Sequence, residues 1–242
     1  VDAAFAEHGD DLAAVLVEPV AANMGLVPPD PGFLEHLRDR CTRHDSLLVF
    51  DEVITGFRVG PSGASGRSGV TPDLSIFGKV IGGGLPLAAL GGPAAVMDHL
   101  APLGAVYQAG TLSGNPLATA AGLAVLGLLT PDVYDVLERR AEALTSGLHA
   151  ALDAAGIANT APRVHTLAGV FLRAEPVRDY DDARAADTAT YGRFFHALLD
   201  RGVYVAPSAF EAMFVSLAHT DADVARTVDL AHEAAVEAAS SR

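Results

Sequence analysis

A chain of 242 residues with 50% hydrophobic content can bury a sizeable core, in one large domain or two smaller ones. A formal net charge of -14 with no basic run excludes the clustered cations that hold a phosphate backbone, so no nucleic-acid partner is expected. The single cysteine, Cys41, cannot close an internal disulfide, no apolar run approaches the ~18 residues of a membrane span, and Val1 to Asp11 lacks a signal-peptide pattern, so a soluble cytoplasmic protein with no membrane partner is expected.

Fifteen of the sixteen Lys and Arg residues are arginine, and the remaining cation is Lys79. Arginine serves as well as lysine in a surface ion pair or as a solubilising charge. It cannot replace an amine that must lose its proton to form a Schiff base. Lys79 is either the chance remnant of an arginine-rich composition or a residue whose amine is used, and the count leaves both open.

Leu12 to Val17 is a short apolar run ending at Glu18-Pro19, the pattern of a strand buried on both faces of a parallel sheet. After a loop, Asp30 and Pro31 supply an N-cap and a first-turn proline, and Leu34, Leu37 and Cys41 mark one face of a helix to about His44. Ser46 to Phe50 is the next buried strand, so 12–50 make one β-α-β unit with a parallel pair. Residues 56–71 are a long Gly- and Ser-rich excursion. Asp73 to Phe77 and Leu87 to Leu90 follow as short strands, with Lys79 and Gly82, Gly83 and Gly84 between them. A helix opens at Pro116 and is closed by Thr130-Pro131, which places a domain boundary between 1–130 and 131–242.

The second half has another rhythm. Leu137, Ala141, Leu144, Leu148 and Leu152 recur at three and four residues, giving a long amphipathic helix that Gly156 ends. Strands are expected at Gly169 to Arg173, Val203 to Ala206 and Phe214 to Ala218, with a helix from Asp187 to Arg201 between them. Thr220 and Asp223 form a capping box for a terminal helix. This is an α+β layer, separate from the parallel sheet.

In open parallel sheets ligands bind beyond the carboxyl ends of the strands, and Glu18, Asp51 and Lys79 stand at three such ends. Asp51 follows four apolar residues, so its half-buried carboxylate needs a cationic or N–H partner. Val53 would point to the same side and could pack on a flat ring whose edge Asp51 meets. A helix cap or a structural ion pair is the other reading of Asp51-Glu52, and taken alone these two residues favour it. Lys79 lies among Ile76, Phe77, Val80 and Ile81, a setting expected to disfavour the ammonium, and the three glycines would let the backbone approach a cofactor. A flexible loop with an exposed lysine is the alternative. Gly110 and Thr111 lead through Ser113, Asn115 and Pro116 into a helix whose positive end suits an anion such as phosphate, although capping by Ser113 or Asn115 accounts for the same residues. The nine histidines lack metal-ligand spacing, so no metal is expected.

Asp51-Glu52-Val53, Lys79 at 28 residues beyond Asp51, and Thr111 at 32 beyond Lys79 resemble the signature of class III, fold-type I pyridoxal-phosphate enzymes. The stretches Leu48 to Arg58, Gly69 to Asp73, Gly78 to Pro86, Tyr107 to Ala118, Pro207 to Glu211 and Ser216 to Thr220 are similar to the aminomutase branch of that class. The resemblance implies an α/β fold: residues 1–130 as part of a cofactor-binding large domain with a mainly parallel sheet, and 131–242 as a small α+β domain. It implies pyridoxal 5'-phosphate, alternating with pyridoxamine 5'-phosphate, held on Lys79, which also shuttles protons. Asp51 would keep the pyridine nitrogen protonated, and Val53 would back the ring. Thr111, beside Gly110, would reach the phosphate of a neighbouring subunit's cofactor, making the active unit a homodimer. Asn23 would lie beside the cofactor and Glu211 near the amino groups of an amino-aldehyde substrate. The implied reaction moves an amino group within glutamate 1-semialdehyde to give 5-aminolevulinate, the tetrapyrrole precursor.

The N-terminal half of the family pattern, with its phosphate loop and ring-stacking aromatic, is not in these 242 residues, so the sequence reads as a C-terminal fragment. Gly60 to Ser68 lacks the aromatic residues expected there, and Gly92-Pro-Ala-Ala95 replaces a more polar stretch. Two rival functions are an aminotransferase that exchanges amino groups between different molecules through the same Lys79 and Asp51, and a non-catalytic fragment or partner-binding module.

Overall fold

A computed structural model describes residues 1–240. Contacts divide the chain into two units: Val1–Pro19 with Asp30–Thr130, and Val20–Pro29 with the chain from Pro131 onward.

The first unit begins with helix α1 (Asp2–His8) and strand β1 (Ala14–Val17). Helix α2 (Phe33–Arg43) carries the expected apolar face, Leu34, Leu37 and Cys41, and leads to β2 (Leu47–Asp51). β1 and β2 run parallel with Ala14 opposite Leu47, so the β-α-β unit is present. The face of α2 packs with Phe5, Leu48, Phe50 and Val70 into one apolar cluster. Within the 56–71 excursion stands a short helix, α3 (Gly63–Ser68). β3 (Leu74–Phe77) pairs parallel to β2, and β4 (Ala89–Gly91) pairs antiparallel to β3, giving the order β1-β2-β3-β4. A short α4 (Ala94–Met97) and the longer α5 (Pro116–Leu128) complete the unit.

β1 is an edge strand, not a strand covered on both faces. Leu16 is 62% exposed and burial alternates along the strand. An unbroken apolar run gives no sign of which strand forms the edge of a sheet.

In the second unit α6 (Pro131–Ala154) packs along the terminal helix α9 (Asp221–Ser240). A Cβ on Gly147 of α6 would lie 2.6 Å from Val228 Cγ1, so glycine permits that approach. Between these helices the chain forms β5 (Arg163–Val164), β6 (Leu167–Ala168), α7 (Tyr180–Arg184), α8 (Thr188–Asp200) and β7 (Met213–Phe214). The capping box is formed as expected: Asp223 Oδ2 accepts the Thr220 N–H at 2.8 Å, and Thr220 Oγ1 accepts the Asp223 N–H at 3.1 Å. Leu148, Leu152, Phe194, Leu198, Ala231 and Ala235 form the centre of the core.

The expected strands of this half are largely replaced. The sheet β5-β6-β7 is antiparallel with two residues in each strand, Phe171 makes only an isolated bridge to Thr160, and Val203–Ala206 lies outside the ladder. Beside them runs the segment Val20–Pro29, which the sequence reading placed in the first unit. Gly25 donates its N–H to Phe210 O at 2.6 Å, and Val27 packs with Phe171 and Val177. A Cβ on Gly169 would lie 2.8 Å from Leu26 Cβ, so this segment takes the flank along which the expected strand 169–173 would pair.

Candidate functional site

β1, β2 and β3 run parallel, so Glu18, Asp51 and Lys79 follow the carboxyl ends of their strands on one edge of the sheet. Asp51 ends β2 opposite Ile76. It is half-buried, and its Oδ1 accepts the Val53 N–H at 3.0 Å. Among the described residues nothing donates to Oδ2, which leaves a carboxylate oxygen open to a cation or an N–H group. A Cβ on Gly78 would stand 3.3 Å from Val53 Cγ1, so Val53 packs on the backbone just before Lys79. Asp51 and Val53 therefore lie beside the backbone that leads into Lys79.

Lys79 opens a single turn of 3-10 helix, Lys79–Gly82, at φ 45°, a left-handed value that few non-glycine residues hold. Its side chain is exposed, and among the described residues it has no ion-pair partner. The expected apolar enclosure of the amine is thus not found. Phe77 is engaged with Phe57, ring centroids 5.6 Å apart, and Ile81 is buried under the turn, so these apolar neighbours are taken up elsewhere.

The three glycines also serve another purpose than the one expected. A Cβ on Gly83 would stand 2.9 Å from Ala121 O, and one on Gly122 would collide with Ile81 O. Gly83 and Gly122 bring the turn against α5, and Gly82 lies against Leu87. Of the three, only Gly84, at φ 91°, has no neighbour where its Cβ would be.

Gly110 and Thr111 are exposed in a turn closed by the Ser113 N–H to Gly110 O at 3.0 Å. Asn115 caps α5, its Oδ1 accepting the N–H groups of Leu117 and Ala118 at 3.0 and 3.2 Å. The capping of Asp51-Glu52 falls to Glu52. Its fully buried carboxylate accepts Thr55 Oγ1 and the Ala64 N–H at 2.8 Å on Oε2, and the Ser65 N–H at 3.0 Å on Oε1. It thereby closes the start of α3.

Asn23 and Glu211 belong to the second unit, and both are exposed. Burial, followed by the charge of Glu211, pushes the phenol of Tyr191 up to about 12, and its hydroxyl donates to Ala206 O at 2.7 Å.

An accessible amine, a half-buried carboxylate with an open oxygen and an apolar side chain touching both segments suit a ring that carries an aldehyde, an N–H edge and a flat face. The donor set fits pyridoxal phosphate.

The family model described as aminotransferase class-III matches residues 1–234. The chain is 54% identical over 235 residues to the glutamate-1-semialdehyde 2,1-aminomutase of Bordetella avium (strain 197N), covering 97% of this chain and 55% of that protein. It superposes on an omega-transaminase from Sphaerobacter thermophilus with a TM-score of 0.91 at 33% identity, covering 98% of this chain and 55% of that one. For a glutamate-1-semialdehyde-aminomutase from Pseudomonas aeruginosa PAO1 in complex with PMP the TM-score is 0.86 at 31% identity, covering 98% and 54%. The chain spans about half the length of the curated relatives it matches. The mainly parallel sheet with a separate α+β layer is the architecture these structures share with it, as the fold-type I resemblance implies.

Proposed function

The chain belongs to the aminotransferase class-III family, and on that premise we propose that it is the lysine-bearing part of an enzyme that isomerises glutamate 1-semialdehyde to 5-aminolevulinate. The packing of Val53, next to Asp51, on the backbone that leads into Lys79 supports the reading. Relatives 52–54% identical that bear the aminomutase name support the substrate.

Pyridoxal 5'-phosphate, alternating with pyridoxamine 5'-phosphate, supplies an electron sink when bound. Lys79 Nζ, exposed at the sheet edge, would hold it, and its amine would serve as the group that carries protons. Asp51 Oδ2, which no described residue donates to, would accept the N–H of the ring and keep that nitrogen protonated. Val53 would cover a face of the ring. Gly110 and Thr111, exposed before α5, reach the phosphate of a neighbouring subunit's cofactor in a homodimer. The exposed Leu103, Val106, Tyr107, Leu112 and Leu117 on either side of Thr111 support a protein surface there. Asn23 and Glu211 are assigned by resemblance, to the cofactor and to the substrate's amino groups. The setting is the cytoplasm.

A second reading, amino transfer between two different molecules, is favoured by the TM-score of 0.91 to an omega-transaminase. The natural protein containing this chain, supplied with glutamate 1-semialdehyde and no second amino donor, separates the two. Accumulation of 5-aminolevulinate is expected. Product only after a second donor is added would replace the aminomutase by the transaminase.

A further inference from the structure

Asp51 and Lys79 account for the chemistry proposed above, yet the most deeply buried ionisable side chain on this edge is neither of them. Glu52 has 0% exposure, and both of its oxygens are occupied only by donors: Thr55 Oγ1 and Ala64 N–H on Oε2, Ser65 N–H on Oε1. Its backbone is tied as well. The Glu52 N–H donates to Ile76 O at 2.8 Å, and Glu52 O accepts the Gly56 N–H at 2.8 Å. Gly56 in turn leaves no room for a Cβ, which would stand 2.5 Å from Phe77 Cδ1. The loop that Glu52 anchors therefore lies against Phe77, two residues before Lys79.

The neighbours of Glu52 in the chain are the two other residues of the edge. Asp51 Oδ1 and the Val53 N–H close a small ring across Glu52, so the direction of the Asp51 carboxylate depends on how the backbone at 52 is held. We propose that Glu52 is a positioning residue, whose buried carboxylate, by gripping Thr55 and the start of α3, fixes the turn that aims Asp51 and Val53 at the edge where Lys79 stands. The inference rests on the reading of Asp51 and Lys79 as cofactor residues. It adds a residue that needs to touch neither cofactor nor substrate.

The geometry demands an acceptor-only side chain. Glutamine matches glutamate in shape but turns one oxygen into an NH2 group. On either side that group would face a backbone N–H, that of Ala64 or that of Ser65. Glu52→Gln therefore breaks the grip without removing volume.

The test compares Glu52→Gln with Leu37→Ala, a buried change on α2 chosen to match its loss of melting temperature. Amide exchange at Ala64 and Ser65 rises in Glu52→Gln whatever else Glu52 does. The deciding amide is Val53, whose exchange is expected to quicken about tenfold in Glu52→Gln and to stay unchanged in Leu37→Ala. In the natural full-length protein loaded with pyridoxal phosphate, the pH midpoint of the visible absorbance of the lysine-bound cofactor should move by about one unit in Glu52→Gln alone. Opening at Ala64 and Ser65 with Val53 and the midpoint unmoved would reduce Glu52 to a helix cap and overturn the proposal. If Glu52→Gln does not fold, Thr55→Val removes one donor and is read at Val53 in the same way, where unchanged exchange again overturns it. A wild-type protein with no cofactor absorbance would defeat the functional reading, while the Val53 exchange would still decide the role of Glu52.

Discussion

Gly63 and Glu52 share space that admits only one side chain: a Cβ on Gly63 would stand 2.8 Å from both Cδ and Oε1 of Glu52. Gly63 is also at φ 60°, where any other residue is strained. Gly63→Ala therefore meets two penalties at once, the left-handed backbone and displacement of a buried carboxylate from its N–H donors. Together they should cost about 3 kcal/mol. A urea titration checks this, and a midpoint within error of wild type would show that the start of α3 tolerates the change.

In the natural protein containing this chain, reduction with borohydride in the presence of pyridoxal phosphate should place the label on the peptide that contains Lys79, the one lysine of these 242 residues. Lys79→Arg should abolish labelling while melting near the wild type, because the exposed side chain has no ion-pair partner among the described residues. Mass spectrometry of the reduced protein decides. Label on any other peptide, or persistence of label in Lys79→Arg, would remove Lys79 from the proposed role.

Tyr191 gives an alkaline signature in the second unit. Its phenol rises from 10.0 to about 12, first because it is buried and then because of the charge of Glu211. The folded state holds this proton more tightly than the unfolded chain does. Its contribution to stability is thus intact below pH 10 and is lost as the pH climbs towards 12, by on the order of 2 kcal/mol. Tyr191→Phe should cost about 1 kcal/mol at neutral pH by leaving Ala206 O without its donor, and should flatten the alkaline decline. Melting temperatures from pH 8 to 12 test both halves, and a parallel decline in the variant would assign the alkaline loss to other groups.

The features legible in the sequence were those with a local cause. The strands and helix of the β-α-β unit, the capping box at Thr220 and Asp223, and Lys79 beyond the end of β3 each follow from residues a few positions apart. Features with a distant cause were not legible. Helix α3 has no apolar period and is capped by a carboxylate more than ten residues upstream. The exposure of Leu16 depends on which strand lies at the edge of the sheet, and the assignment of Val20–Pro29 to the second unit depends on Phe171 and Phe210. Lys79 stands after a strand as expected, and its exposure is the alternative that the sequence left open beside apolar enclosure; its left-handed φ has no sequence signal in a non-glycine residue.

Two glycines of α5 separate helix propensity from packing, with opposite expected signs. Gly127 is exposed and has no atom where a Cβ would go, so Gly127→Ala should stabilise by about 0.5–1 kcal/mol through propensity alone. Gly122 is buried, and its Cβ would collide with Ile81 O and lie 3.1 Å from Leu87 Cδ2. The same propensity gain of about 1 kcal/mol is outweighed there, because a backbone oxygen in the turn opened by Lys79 cannot yield without moving the turn. Overpacking of this kind typically costs about 1–3 kcal/mol, so Gly122→Ala should melt lower than wild type, and Gly127→Ala higher. If both variants stabilise, α5 is not seated on the Lys79 turn as closely as these contacts require; if Gly122→Ala alone destabilises, the glycine run and α5 form one packed support beneath Lys79.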